Sequence, residues 1–407
     1  MIHSFSCKNF YSFGDSAEVS FVVNDNAPEN NGYYKTPSGV RLSKVETVIG
    51  PNASGKTNLL KILPFLKWLI IDSLVKTKPE DPIVVQPFAF GKAKDQPMEL
   101  SVVFEINEKV YSYSFILNKQ KILNEELKLT GFAKEKKSSK KIFSRSWNES
   151  TNRYDFYGDT FGVPNFENFL RRNASAIASA YQINPNKKEI EEIAKFWQRI
   201  ETNVIEAGWL GDHLLLNRLP QWFEALVFYS ESENDSLKKE AEKLISRFDL
   251  GLKGIMFSKE KEENRLTIKD VHAVHLFNNE EQSLSVLYES SGTKQLFVLL
   301  KSILQALQEG SIAVLDEFDV NLHPEMVMAL FDLFIQPETN PRNAQLIMST
   351  HSHIILSKLD KYQIVLIEKN ENGISEAWRL DEVSGVRADE NYYSKYIAGA
   401  YGAAPKL

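Results

Sequence analysis

Gly50-Pro51-Asn52-Ala53-Ser54-Gly55-Lys56-Thr57 decides how this chain is read. Its spacing is G-x-x-x-x-G-K-[ST], and the flanks agree with it. Lys44 to Ile49 is a β-branched run that predicts a strand, and Lys56 to about Leu74 predicts a helix. In that setting successive backbone N–H groups turn inward around an anion. The helix N-terminus adds a field that favours negative charge. A loop of this kind seats the phosphates of ATP, with Lys56 reaching the β and γ phosphates and Thr57 binding Mg²⁺. Gly50, Pro51, Asn52, Ala53, Ser54, Gly55, Lys56, Thr57 and Asn58 are therefore the expected nucleotide-binding residues.

Farther along, Ser311-Ile312-Ala313-Val314-Leu315-Asp316-Glu317 is an apolar strand ending in two carboxylates. Alone, it would read as a buried strand followed by solvated acids. Downstream of a phosphate loop, Asp316 is expected to hold Mg²⁺ through water, and Glu317 to polarise an attacking water. Lys56, Glu317 and the strand-end residue His351 form the candidate catalytic set.

Other segments carry a resemblance to a family. Glu289-Ser290-Ser291-Gly292-Thr293-Lys294-Gln295-Leu296 precedes the Asp-Glu strand by one helix. It resembles the signature motif of ABC ATPases, in the Ser-Gly-Thr form of the SMC-like and RecF-like members. A Ser hydroxyl and a Gly N–H at a helix start suit a γ-phosphate. The resemblance implies that Ser290, Ser291, Gly292, Thr293, Lys294 and Gln295 meet the nucleotide of a partner subunit. A plain N-cap at Ser290 or Ser291 is the simpler reading of those residues alone. Asp319-Val320-Asn321-Leu322-His323-Pro324 is similar to the D-loop, with Asp319 and Asn321 as its polar residues. It also reads as a turn into a helix with Pro at an early position. Thr350-His351-Ser352 follows the apolar strand Gln345 to Ser349 and resembles the switch histidine, leaving His353 as bystander polarity. Gln86-Pro87-Phe88 lies where the family has its Q-loop. Gln86 is thus either a Mg²⁺ or water ligand or an exposed loop glutamine.

The order of these motifs implies an α/β ABC-type ATPase head, a P-loop NTPase with an antiparallel β lobe and a helical insertion. ATP hydrolysis would occur in composite sites between subunits of a dimer or higher oligomer. Sustained heptads are missing, so a long coiled coil is not expected. Lys8-Asn9-Phe10-Tyr11-Ser12-Phe13 resembles the opening of RecF-like and overcoming-lysogenization-defect-like ATPases. Arg171-Arg172-Asn173-Ala174, Gly385-Val386-Arg387 and the ending Tyr396-Ile397-Ala398-Gly399-Ala400-Tyr401-Gly402-Ala403-Ala404-Pro405 resemble the RloA/AbiL/AriA-like ATPases of bacterial anti-phage, abortive-infection operons. That resemblance implies a switch subunit controlling a separate effector such as a nuclease or toxin, with a phage protein as possible trigger. The competing function is a RecF-like DNA-repair ATPase. Glu368, at the end of the strand Ile364 to Ile367, is read as a coincidental strand-end acid rather than effector chemistry.

The organisation follows from these segments. Residues 1–164 are expected to form an N-terminal ATPase lobe with the P-loop and a β subdomain, 165–260 a helical insertion, and 261–407 a C-terminal ATPase lobe. Met98 to Leu129 alternates as antiparallel strands turning at Asn107-Glu108, and Ile190 to Val204 has amphipathic helical spacing. Lys134 to Lys141 is a dense basic run expected in a loop, either touching nucleic-acid phosphates or simply solvated. The aromatics Phe196, Trp197 and Trp209 are expected in core or partner surface.

Composition sets the outer bounds. With 407 residues, 43% hydrophobic, the chain can bury a sizeable core. A formal net charge of -6 gives no global pull toward nucleic acid, so such contact would need a local patch. The single cysteine, Cys7, rules out a disulfide within the chain and favours a reducing compartment. The first residues lack the basic and apolar regions of a signal peptide. Leu59 to Val75 contains Lys61, Pro64, Lys67 and Asp72, too polar a stretch to span a bilayer. The expectation is a cytoplasmic protein with no membrane contact.

Overall fold

The computed structural model describes residues 1–133, 136–204, 221–248, 251–262 and 265–404. Strands β1 (Ile2–Lys8) and β2 (Ala17–Ser20) pair antiparallel, with alternate side chains buried. A short ribbon of β3 (Tyr33–Lys35) and β4 (Arg41–Ser43) leads into β5 (Val45–Ile49), the strand before the glycine-rich loop. After that loop come α1 (Lys56–Leu60), α2 (Ile62–Lys67), a π-helical stretch over Trp68–Asp72, and α3 (Ser73–Lys76). The expected helix is thus present and runs two residues farther. Its interruptions surround Pro64, which has no N–H to give the preceding turn.

The β lobe continues with β6 (Met98–Ile106), β7 (Lys109–Leu117), β8 (Ile122–Ala133), β9 (Lys136–Asn148) and β10 (Arg153–Gly158). Together with β1 and β2 they form one antiparallel seven-stranded sheet, in the order β10-β9-β8-β7-β6-β1-β2. Asn107 and Glu108 both have positive φ, as a two-residue hairpin turn requires, and the turn lies where the alternation predicts it. Lys136 to Lys141 lie in β9 and pair with β8, which corrects the loop expected there. Backbone pairing along the hairpin overrode the polar composition. Lys134 and Glu135 lie outside the described residues.

Helices α4 (Ala176–Ile183) and α5 (Lys188–Gln198) pack against this lobe. α5 ends at Gln198 rather than continuing to Val204. Glu201–Thr202 instead forms β11, parallel to β15 (Ile312–Leu315) at the edge of the central sheet. Ile200 and Val204 are buried from outside any helix, so their burial was read correctly and their helical geometry was not. Phe196 stacks on Phe104 at 5.1 Å, and Trp197 is fully buried edge-on to the same ring. Both are core residues; Trp209 lies outside the described residues.

The central sheet has the order β11-β15-β16-β5-β17-β18, with β16 (Gln345–Ser349), β17 (Ile364–Lys369) and β18 (Ser375–Arg379). All its pairings are parallel except the β17–β18 hairpin. Every residue of β5, β15 and β16 is buried, as expected of parallel strands covered on both faces. Alternate residues feed two cores. Val48, Val314, Ile347 and Val365 join the β-lobe core, while Ile49, Leu315, Met348 and Leu366 join the helical one.

The second core is built by α6 (Gln221–Ser230), α7 (Asp235–Phe248), α8 (Ser291–Glu309), α9 (Pro324–Ile335) and α10 (Tyr392–Ile397). The sheet β12 (Leu252–Glu262), β13 (Arg265–Phe277), β14 (Glu280–Ser285) packs beside α7. Beyond β11, strand structure resumes at Leu252, inside the stretch expected to be helical. α8, at 19 residues, is the longest helix among the described residues. No described helix is long and apolar enough to cross a membrane.

Candidate active site

A cavity of about 540 Å³ opens where β5, β15 and β16 end. It is lined by Asn52, Ala53, Gly55, Lys56, Thr57 and Asn58 on one side, and by Asp316, Glu317, Ser349 and His351 on another. These groups lie up to three hundred residues apart in sequence. The parallel order β15-β16-β5 brings their strand ends together.

The loop's shape depends on its glycines. Gly55 has φ +116°, and a Cβ there would sit 2.5 Å from Ser375 Oγ and 2.7 Å from Ser12 Oγ. A Cβ on Gly50 would fall 2.1 Å from the Ile367 carbonyl oxygen. Ser375 Oγ donates to the Ser54 carbonyl at 2.5 Å, and Ser375 N–H to the Ser12 carbonyl at 2.8 Å. The β17–β18 hairpin thus grips the loop from behind. Within the loop, Lys56 is buried and donates to the carbonyls of Gly50 (2.8 Å) and Pro51 (3.0 Å). Burial pulls its pKa below the usual lysine value, against the opposing charges of Asp316, Asp319 and Glu317.

The acidic wall is pinned as tightly. Ser349 Oγ donates to Asp316 Oδ1 and accepts from the Glu317 N–H at 2.8 Å. Asn203 brackets the Asp316 backbone: its Oδ1 accepts from Asp316 N–H (2.7 Å), and its Nδ2 donates to the Asp316 carbonyl (2.9 Å). Glu317 has φ +48°, a strained value for a non-glycine residue that persists only because its surroundings hold it. Asp319 Oδ1 accepts from Thr350 Oγ1 (2.7 Å) and His351 N–H (2.9 Å), which ties the turn after Glu317 to the histidine loop.

The remaining expected residues lie elsewhere. Gln86 does not line the cavity: its Oε1 accepts from Lys119 at 2.8 Å, and its Nε2 donates to the Pro87 carbonyl. Gln86 thus lies outside the residues that line this cavity. The β7–β8 turn holds the side chain away, and the loop-glutamine reading applies. None of Ser290 to Gln295 lines the cavity. Ser290 caps α8, its Oγ accepting from Thr293 N–H at 3.0 Å, so the plain capping role is filled. A Cβ on Gly292 would stand 2.6 Å from the Asn321 carbonyl oxygen, so this glycine packs directly on the turn that contains Asp319 and Asn321. His353 is half-buried against the Tyr396 ring at 4.9 Å, and burial lowers its pKa. Glu368 Oε2 accepts from Ala403 N–H, a role in docking the C-terminal segment.

Sequence reasoning missed Ser349, Asn203, Ser12, Ser375 and Lys369. Ser349 directly precedes Thr350-His351, and Ser12 lies in the quoted N-terminal segment; both had a positional signal. Asn203, Ser375 and Lys369 had none, because only the sheet order brings them here.

A buried lysine, turned-in backbone and a nearby carboxylate suit a polyphosphate. Thr57 and Asp316, a hydroxyl and a carboxylate lining one cavity, suit a hard oxygen-seeking cation such as Mg²⁺. A Mg²⁺ ion held there by Thr57 and Asp316 would supply positive charge against a bound polyphosphate.

Comparison with known proteins adds a family. The sequence profile described as "AAA domain, putative AbiEii toxin, Type IV TA system" matches residues 47–357. No curated protein sequence matches significantly. Among solved structures, the chain is similar to the SMC head domain from Thermotoga maritima at 14% identity, covering 93% of this chain and 98% of that one, with a TM-score of 0.41. It is similar also to an Smc head with an extended coiled coil, bound to the C-terminal domain of ScpA derived from Pyrococcus furiosus. That match has 12% identity, covers 94% and 97% of the two chains, and has a TM-score of 0.48. The profile spans both walls of the cavity, from β5 through the histidine loop, and on that ground this chain belongs to the AAA-domain family so described.

Proposed function

We propose that this chain binds and hydrolyses ATP with Mg²⁺ and acts as a switch subunit, its assembly state set by the nucleotide. The observation that carries this reading is the single cavity shared by Lys56, Thr57, Asp316, Glu317 and His351. In the proposed roles, Lys56 leaves its loop carbonyls for the β and γ phosphates. Thr57 and Asp316 hold Mg²⁺. Glu317, fixed by Ser349, takes the proton of the attacking water. His351 stands opposite the loop, where it would sense the γ-phosphate. Ser290 and Ser291, exposed at the start of α8 and outside the chain's own cavity, would meet a second subunit's nucleotide.

The family's description names a toxin and a toxin–antitoxin system. With the anti-phage resemblance of the C-terminal segment, it supports control of a separate effector in abortive infection. Phosphate release should be measured for the wild type and for Glu317→Gln. The expected result is turnover lowered by about 10²–10⁴ with ATP binding kept. Unchanged turnover would remove Glu317 from its role. Salt-dependent duplex binding that appears only with ATP would favour the RecF-like DNA-repair reading instead.

A further inference from the structure

We propose that Lys369 is a nucleotide-binding residue, meeting the non-reacting end of the polyphosphate. The inference rests on the ATP-site reading above and adds a contact outside its motifs. Lys369 ends β17 and is the cavity's single lining residue from the β17–β18 hairpin. β17 runs parallel to β5 with Leu366 opposite Ile49, so Lys369 rises beside the phosphate loop, past the end of β5. Its hairpin partner is Ser375, whose hydroxyl binds the Ser54 carbonyl. The lysine is therefore held in place by the same contact that shapes the loop.

Charge and placement agree. Asp316, Glu317, Ser349 and His351 form the wall where the γ-phosphate chemistry is proposed. Lys369 pairs with Ser375, and a Cβ on Gly55 would meet Ser375 Oγ and Ser12 Oγ, which puts the lysine's strand end on the Ser12 and Gly55 side of the loop. Ser12 Oγ accepts from Asn58 Nδ2 at 2.9 Å, and the Ser12 carbonyl is bound by Ser375 N–H. Lys369 is exposed, and among the described residues no carboxylate pairs with it. The cavity already holds two acids, so a polyphosphate there gains from a cation besides Lys56 and the proposed Mg²⁺. A lysine serves as a point charge for phosphate oxygens. A contact made at the non-reacting end is equal in the ground and transition states. It therefore strengthens binding without changing the chemical step.

The test uses the full chain with a fluorescent ADP and a fluorescent ATP, each with Mg²⁺, alongside steady-state phosphate release. Lys369→Gln should weaken both nucleotides about tenfold, the size of one charge-assisted contact. KM should rise in proportion and kcat should stay within about twofold. Lys369→Arg should recover most of the affinity. Unaltered affinity for both nucleotides in Lys369→Gln, at unchanged thermal stability, would overturn the inference and leave the ATPase reading intact. A fall in kcat at constant KM would overturn it too, because the side chain would then act in the reaction. A wild-type chain that binds neither nucleotide would overturn the ATPase reading itself, and this inference with it.

Discussion

Asn203 holds the Asp316 peptide by two hydrogen bonds from across the sheet edge, and no motif announces it. Replacing it by alanine leaves an N–H and a carbonyl without partners at the metal wall. The cost should be about 1–3 kcal/mol, read by urea denaturation, with weaker Mg²⁺-dependent ATP binding. Glu105 gives a pH signature. Burial would raise its pKa, but hydrogen bonds from His3 and from Ser38 outweigh burial and bring it from 4.5 to about 2. A carboxyl lowered on folding contributes stability that is full above its unfolded value and lost as pH falls through the folded one. Thermal stability should therefore fall between about pH 5 and 2, and Glu105→Gln should flatten that slope; an equal slope in both proteins would exclude Glu105 as its source. Cys7 is buried, and that burial pushes its pKa up to about 12, so it serves as a small apolar residue of β1.

At the scale of elements, the β lobe is locked to α4 by one buried ion pair. Arg145 in β9 binds Glu125 in β8 at 2.6 Å and reaches the carbonyls of Arg171 and Ala174. Glu125 also accepts from Ala176 N–H, at the start of α4. Arg145→Leu would strand a buried carboxylate, and a loss of about 3–5 kcal/mol is expected in chemical denaturation. A loss below about 1 kcal/mol would mean the lobe is held by its aromatic packing alone. Alternation predicted the β6–β7 hairpin and its Asn107-Glu108 turn, because one face is buried and the period is two. The helical period failed past Gln198, where Ile200 keeps the apolar spacing but the next two residues pair with β15. Composition failed along Lys136 to Lys141, where charge suggested loop and the β8 partner imposed strand.

For the whole molecule, the central sheet has a cavity at the ends of its parallel strands, while Ser290–Gln295 starts a helix outside that cavity. Completion by a second copy is the proposed consequence. Light scattering of Glu317→Gln should give a dimer or higher mass with ATP·Mg²⁺ and a lower mass without nucleotide. A mass unaffected by nucleotide would argue against composite sites. In the presence of a co-expressed genomic neighbour, a stable complex that changes on hydrolysis would support effector control.

The eight residues from Gly50 to Thr57, the strand ending in Asp316-Glu317 and the strand ending before His351 were readable in one dimension. Each is a local object: a glycine spacing, an apolar run, a polar group at its end. Their gathering into one cavity is a property of the order β15-β16-β5, which pairs strands from distant parts of the chain. Gln86, read either as a Mg²⁺ or water ligand or as a loop glutamine, accepts from Lys119 of the β7–β8 turn, a contact its own segment does not announce. Asn203, Ser375 and Lys369 enter the site the opposite way, by lying at the right height on or just past neighbouring strands. Local backbone chemistry is written in adjacent residues, whereas contacts across a sheet depend on pairing and register, which no single segment carries.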